Sequence, residues 1–571
     1  MSHSERLFQL RALCAERNLD GFLQPTHDRF MSEYPPAATQ RLSWLTGFSG
    51  SAGAALILPD RALLFTDGRY LLQAAEQCPD YEVVDSGETS PAQWLATHAP
   101  ELRIGYDAWI HSKAETRRWP EAAQLIASDN LIDALWSDRP PLPANPIQAH
   151  GPEFAGQSSA DKRAAIVAKL HEAKLDAVIL TLPDGINWLL NIRGSDVDYN
   201  PLVLSYAVLT TEDELTLITP TVTPCSSRGP GPHASSEPDP VIRRGDTVEN
   251  AALLPLDQLD DTIITSQRIG IDPAHASAAW WELLSDKTLV DFTDPTLLPK
   301  AIKNATEQDG MRAAHQRDGR ALSAFLDWLQ DAWQTKDIDE LTATETLESY
   351  RRAEPLYVGP SFATIAGSGP HGAVIHYHAT PESNRVIGDG ELFLLDSGGQ
   401  YRDGTTDVTR TLVRGTPTPE MIDRFTRVLK GHIALARARF PRGTTGAQLD
   451  ALARAPLWDV GLDYAHGTGH GVGSFLCVHE GPQRIGKRGG DVPLEPGMIL
   501  SNEPGYYKNG DYGIRIENLV LVVEAADGYL EFETLTLVPM DMTLVDPAML
   551  TPHETAWLNT YHARVAANRN D

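Results

Sequence analysis

Apolar residues recur along this chain at two spacings, and the changes between them mark out regions. Over residues 5–18, Leu7, Leu10, Leu13 and Cys14 fall at helical spacing. Leu19-Asp20-Gly21-Phe22-Leu23 then reads as a turn into a strand. The same order returns later. Ala164, Ile166, Val167 and Leu170 mark a helix over 161–174, and Leu175 to Leu180 reads as the following strand. Trp44-Leu45-Thr46-Gly47-Phe48-Ser49-Gly50 is answered by Trp188-Leu189-Leu190-Asn191-Ile192-Arg193-Gly194, and each leads into an apolar run, Ala54 to Leu58 and Leu202 to Leu209. The offset narrows from 156 at Leu19/Leu175 to 144 at Trp44/Trp188, so the copies differ by a loop. This pattern predicts two related α/β domains.

Between the copies, Asp138-Arg139-Pro140-Pro141-Leu142-Pro143-Ala144-Asn145-Pro146 can be neither helix nor central strand, because proline fixes φ and removes donors. Pro224 to Pro240 reads as a surface loop inside the second copy. Thr66-Asp67-Gly68-Arg69-Tyr70 holds an Asp and an Arg, but an Asp-Gly turn between strand and helix explains both. A third region begins near Asn304. Met311, Ala314, Leu322, Phe325, Leu326 and Leu329 predict a long amphipathic helix over Glu307 to Trp333, and a second follows over Glu340 to Arg352. From Ser361 the pattern turns to strands and turns. The expected domains are 1–147, 148–303 and 304–571.

Charge narrows the function classes. Against 48 Lys and Arg stand 77 Asp and Glu, a formal net charge of −29. Nucleic-acid and anionic-membrane partners need a basic surface, so neither is expected. The four cysteines, Cys14, Cys78, Cys225 and Cys477, are far apart, which speaks against a structural zinc site or a disulfide framework and fits a reducing cytoplasm. No secretory h-region and no run of about 18 apolar residues is present, so no membrane span is expected.

The candidate chemistry lies in the third region. His466-Gly467-Thr468-Gly469-His470-Gly471-Val472-Gly473 opens a stretch of 14 residues with three histidines, His466, His470 and His479. A phosphate loop is a poor reading of it: no Lys-Ser/Thr follows, and Phe475 to Val478 reads as strand. Leu392-Phe393-Leu394-Leu395 runs straight into Asp396, a carboxylate whose burial needs a nearby cation. The Asp403-Gly404 turn should return Asp407 alongside it. A second hairpin, centred on Gly510, places Glu503 opposite Glu517, and facing carboxylates repel unless a cation lies between them. Arg515, two residues from Glu517, shares its strand face. His376 ends an apolar, strand-like run from Gly372 and, taken alone, reads as a structural residue. Each acid alone also has a bland reading as turn former or surface charge. Together, two Asp, two Glu and a His suit divalent ions of the harder kind, such as Mn²⁺, and suffice for two of them.

At these residues the chain resembles the pita-bread metallopeptidases, the family of methionine aminopeptidase, prolidase and aminopeptidase P. The strings 403–411, 466–476, 478–482 and 503–507 carry the resemblance, with Leu45-Thr46-Gly47-Phe48, Ser51-Ala52-Gly53 and Asn191-Ile192-Arg193-Gly194-Ser195-Asp196 in the front domains. The match is best to the three-domain, cytosolic Xaa-Pro aminopeptidase branch. The resemblance implies two creatinase-like α/β domains before a pita-bread α+β domain. It implies Asp396, Asp407, His470, Glu503 and Glu517 as ligands of two divalent ions, with Glu503 also the general base for a bridging hydroxide. It implies His376, His466 and His479 along the substrate, Tyr507 and Arg515 in the pocket, peptides with N-terminal Xaa-Pro as substrates, and a cytoplasmic homodimer. Two alternatives stand beside it: a prolidase cutting only dipeptides, and a peptide-binding module without catalysis.

Overall fold

The computed structural model describes residues 1–220, 241–242 and 251–570. They form two compact units, Met1–Gly151 with Gln157–Thr296, and Pro152–Gly156 with Leu297–Asp571. Pro224 to Pro240, expected as a loop, lies outside the described residues.

The first unit holds two six-stranded sheets of one topology. In one, β1 (Gly21–Pro25), β2 (Ala54–Ile57), β3 (Ala62–Thr66), β4 (Glu82–Asp85), β5 (Arg103–Tyr106) and β6 (Gln124–Ala127) lie in the order β4-β3-β2-β1-β5-β6. In the other, β7 (Ala177–Leu180), β8 (Tyr206–Thr210), β9 (Leu215–Thr219), β10 (Ala251–Pro255), β11 (Arg268–Ile271) and β12 (Thr288–Asp291) lie in the order β10-β9-β8-β7-β11-β12. The directions agree pair by pair: the first three strands of each are antiparallel neighbours, and the outer pairs are parallel. The sequence repeat is therefore a repeat of fold. Helices α1 (His3–Glu16) and α2 (Ser159–Ala173) precede β1 and β7, each started by a serine, Ser2 or Ser158, whose hydroxyl accepts a backbone N–H of the first turn. One expectation needs correction. The run Leu202 to Leu209 becomes strand only at Tyr206, because the side chains of Asn187 and Asp196 take the N–H groups of Val203 and Leu204 before any ladder can. Asp67 and Arg69 pair with each other at 2.8 Å in the turn after β3.

In the second unit, α3 (Ala305–Trp333) starts at an Asn304/Glu307 capping box and packs its apolar face with α4 (Glu340–Arg352) against Phe393, Leu395 and Leu412. Helices α5 (Pro419–Ala436) and α6 (Gly446–Trp458) lie side by side. They touch at Gly431, where a Cβ would stand 2.0 Å from the Ala453 carbonyl oxygen. With α7 (Pro552–Asn570), α5 covers Tyr512, Ile514 and Ile516.

The strands beneath carry the candidate site. A three-stranded sheet joins β13 (Ile365–Ser368), β14 (Leu392–Ser397) and, across the Asp403 turn formed by β15 (Gly399–Tyr401) and β16 (Gly404–Thr405), β17 (Val408–Val413). A six-stranded sheet runs β18 (Arg439–Pro441), then β25 (Tyr529–Thr534), β24 (Asn518–Glu524), β21 (Ile499–Asn502), β19 (Gly469–Gly471) and β20 (Glu480–Ile485). Strands β22 (Gly505–Lys508) and β23 (Tyr512–Arg515) form the hairpin around Gly510.

Candidate metal centre

Register alone brings the four acids inward. In the first hairpin Gln400 pairs with Thr405, Ser397 with Val408 and Asp396 with Thr409, one register from tip to base. Continuing it sets Asp407 across from Gly398, two residues from Asp396 and on the same face. Gly398 is required there, since a Cβ would meet Ser361 Oγ and the Thr406 carbonyl at 2.1 Å. In the second hairpin Gly505 pairs with Arg515, and farther from the tip Asn502 pairs with Asn518. The same register sets Glu503 across from Glu517 in the gap between these ladders. Their N–H groups bond outward instead: Glu503 donates to the Thr468 carbonyl at 2.8 Å and Glu517 to the Thr409 carbonyl at 3.2 Å. The glutamate strands are thus tied to the histidine loop and to the aspartate strand.

Side chains from four segments converge on this gap. Donor atoms of Asp407, His470 and Glu517 all lie within 4.8 Å of one another. His470 Nε2 stands 3.4 Å from Asp407 Oδ2 and 3.7 Å from Glu503 Oε1. Its Nδ1 lies 2.9 Å from the Gly471 carbonyl, so Nδ1 donates there and Nε2 is the nitrogen turned toward the acids. Asp396 is bound at Oδ2 by Arg515 at 2.6 Å, while its buried Oδ1 has no hydrogen-bond partner. Four carboxyl groups against one guanidinium give this buried site an excess of potential negative charge. An unpartnered carboxylate oxygen, a directed imidazole nitrogen and that charge all fit divalent cations.

A chain of hydrogen bonds leads away from the acids. Arg515 donates to the Tyr507 hydroxyl at 2.7 Å, which meets His466 Nε2 at 2.9 Å, and His466 Nδ1 reaches the Gly467 carbonyl at 2.7 Å. The His479 ring packs edge-on against His470, with centroids 4.3 Å apart. The histidines His466 and His479 therefore lie beside the acids.

His376 differs from expectation: it sits on a turn that follows a short 3₁₀ segment, Gly369–Ala373, and ends no strand. The reason is backbone-to-backbone packing, since a Cβ on Gly513 would stand 1.7 Å from the Gly372 carbonyl oxygen. The adjacent Ile375 carbonyl accepts from Arg515 at 3.5 Å. Phe475 to Val478 is likewise no strand. Phe475 has φ 49°, in the left-handed region, so the chain bends there.

Sequence reasoning missed Thr409, whose hydroxyl donates to Glu517 at 2.8 Å and accepts from Arg515 Nε at 3.1 Å. The signal was present: Thr409 and Thr411 alternate along β17 in step with Asp407, which directly precedes it. It also missed Ser501, whose hydroxyl donates to Glu503 at 3.2 Å.

Charges respond to this crowding. Burial and the neighbouring acids raise Asp396 to about 6, against the pull of Arg515, and hold Glu517 well above the usual carboxylate range. Burial would raise Glu503 too, but His470, His466 and Arg515 bring it below the ordinary value. Burial works against a charged imidazole, yet Asp407 and Glu503 lift His470 to about 9. His466, buried and facing Arg515, falls to about 4 and is neutral at pH 7.

The comparisons with known proteins bear on this site directly. Residues 309–524 match the model of metallopeptidase family M24, and 528–569 its C-terminal region. Residues 6–135 and 138–307 match creatinase/prolidase N-terminal domains. A probable Xaa-Pro aminopeptidase P of Laccaria bicolor is 40% identical over 98% of this chain and 89% of its own. Aminopeptidase P1 of Arabidopsis thaliana is 38% identical over 98% of this chain and 95% of its own. The crystal structure of an X-prolyl aminopeptidase from Caenorhabditis elegans, described as a cytosolic enzyme with a di-nuclear active site, superposes with a TM-score of 0.90 at 35% identity, covering 100% of this chain and 96% of that one. With its two creatinase-type domains ahead of the metallopeptidase domain, the chain belongs to the Xaa-Pro aminopeptidases of metallopeptidase family M24.

Proposed function

We propose that this enzyme releases the first residue from peptides with proline in second place, using two divalent ions held by Asp396, Asp407, His470, Glu503 and Glu517. The observation that carries the reading is the facing of Glu503 and Glu517 beside Asp407 and His470, with Asp407, His470 and Glu517 offering donor atoms within 4.8 Å of one another. Oxygen donors with a single imidazole favour hard ions, and we assign Mn²⁺. Bound there, such ions would acidify a water to hydroxide near neutral pH and polarise the scissile carbonyl. The chain's own groups do the rest. Glu503, kept ionised by His470 and Arg515, takes the proton of the attacking water and passes it to the leaving nitrogen. His376 and His479 supply donors to the carbonyl oxygen as it becomes anionic. His466 lines the substrate with them and, together with Arg515, fixes the Tyr507 hydroxyl. The carboxylates attract the substrate's free amine, which limits cleavage to the first bond. That bond, before proline, is a tertiary amide without N–H. We also assign the enzyme to the cytoplasm as a homodimer. In support of a non-membrane location, no helix among the described residues is long and apolar enough to cross a membrane.

The test is release of arginine from Arg-Pro-Pro by metal-stripped protein, before and after adding Mn²⁺. Metal-dependent release is expected. Release from Xaa-Pro dipeptides alone would favour a prolidase, and no release by protein holding two ions would favour a binding module.

A further inference from the structure

Arg454 takes no part in the chemistry above, yet it is 1% exposed and all three of its nitrogens are engaged. It sits on α6, four residues after Asp450. Nε donates to Asp450 Oδ2 at 2.7 Å, one terminal nitrogen to Asp463 Oδ1 at 2.7 Å and the Tyr464 carbonyl at 2.8 Å, and the other to the His466 carbonyl at 2.7 Å. The guanidinium also lies 3.8 Å over the Tyr464 ring, which leans on the His466 ring at 4.8 Å. Asp450 turns its other oxygen to Thr468 Oγ1 at 2.5 Å, and Thr468 Oγ1 meets the Tyr464 hydroxyl at 2.6 Å. The Thr468 carbonyl in turn holds the Glu503 N–H. A buried ion pair is a poor device for stability alone, since apolar residues of like volume often serve as well. A planar fork gripping two loop carbonyls at fixed angles is a device for shape.

We propose that Arg454 is a positioning residue for the cleavage reaction, acting through His466: by gripping the Tyr464 and His466 carbonyls it holds the imidazole where Tyr507 and the substrate meet it. This rests on His466 serving the substrate side, as read above. Losing the grip lets the loop shift, and a misplacement near 1 Å costs on the order of 100-fold.

The test is a double-mutant cycle of Arg454→Lys with His466→Ala, read as kcat/KM on Arg-Pro-Pro with Mn²⁺ saturating and bound Mn²⁺ and thermal unfolding measured alongside. Arg454→Lys is expected to stay folded and metal-loaded while kcat falls about 10- to 100-fold with little change in KM. In the His466→Ala background the same substitution should cost less than about 3-fold, because coupled residues are not additive. Equal costs in both backgrounds, or wild-type kcat for Arg454→Lys, would overturn the role of Arg454 alone. Wild-type kcat/KM for His466→Ala would instead remove the substrate-side reading of His466 and the inference with it. Should Arg454→Lys not fold, Thr468→Val, which cuts the bond to Asp450, takes its place in the cycle. A loss that persists undiminished beside His466→Ala would then overturn the proposal.

Discussion

At the scale of residues, what separates the four carboxylates is the company each keeps. Glu517 faces Asp407, Asp396 and Glu503, while Glu503 faces four cationic or potentially cationic groups, His470, His466, Arg515 and His479, so one is driven toward its neutral form and the other away from it. A proton acceptor must be ionised at working pH, and Glu503 meets that condition. Glu503→Gln is expected to keep the fold and lower kcat by about 10²- to 10⁴-fold. Circular dichroism beside initial rates checks both, and turnover like the wild type's would remove Glu503 from the reaction. A second residue-level prediction concerns His432 on α5, which is fully buried. Its Nδ1 bonds the Asn502 carbonyl at 3.1 Å and its Nε2 the Asn518 side-chain amide at 3.1 Å, the two residues that flank Glu503 and Glu517. Burial, reinforced by Arg410, lowers His432 from 6.5 to about 3. The unfolded chain thus binds a proton at this residue over a range where the folded chain does not. Its contribution is complete above pH 6.5 and is lost as pH falls toward 3, at ~1.4 kcal/mol per pH unit. His432→Gln should flatten the loss of stability between pH 6.5 and pH 4.5, measured as urea midpoints; an unchanged slope would show that the imidazole is not the group that titrates.

Among elements, the helix pair α5 and α6 matters because α6 carries both Asp450 and Arg454. Gly431 lets the two helices approach until a Cβ would overlap the Ala453 carbonyl. Gly431→Ala forces them apart and is expected to cost about 1–3 kcal/mol by overpacking, read as a lower thermal midpoint, together with a lower kcat because Arg454 follows Ala453 directly. A midpoint at or above wild type would mean the helices relax freely. Elements also show where sequence reading succeeds. The register of the Gly510 hairpin was legible, because the local Asn509-Gly510 turn sets Glu503 and Glu517 at equal distances from its tip. For the Asp403-Gly404 hairpin the sequence indicated the return of Asp407 toward Asp396 but left the register open, and the strand pairing supplies it. Helices α3 and α4 were legible to within two residues, since their period is strong and Asn304 and Asp339 cap them. The turn bearing His376 and the bend at Phe475 were not. Each has an apolar, strand-like sequence, and each is decided by something distant or backbone-borne: the press of Gly372 on Gly513, and a positive φ. Thr409 and Ser501 were passed over because a hydroxyl gains meaning only once the carboxylate it serves is in place.

For the whole molecule, the net charge of −29 acts at long range. It raises the local concentration of cationic peptides and does so less as salt screens it. Going from about 0.01 M to about 0.1 M salt shortens the Debye length from roughly 30 to roughly 10 Å. The kcat/KM for Arg-Pro-Pro should therefore fall with added salt more steeply than that for a peptide with an uncharged first side chain. Parallel slopes would confine the effect of charge to the metal centre. The repeat of one sheet topology, legible as paired runs in the sequence, is a second whole-molecule feature: the two copies lay their six strands in the same order although a loop between the paired runs differs in length.

The uninterrupted registers of the two hairpins have a consequence for how this chain can change in length. A single residue gained or lost within an arm, between Asp396 and the Asp403 turn or between Glu503 and Gly510, would rotate one acid to the far side of its strand. Residues added at the tips would leave every pairing intact, and at Gly510 the surroundings are open. Insertions and deletions among relatives should accordingly gather at the tips and spare the arms, so that the spacing of Asp396, Asp407, Glu503 and Glu517 from their turns behaves as a fixed length while the turns themselves drift.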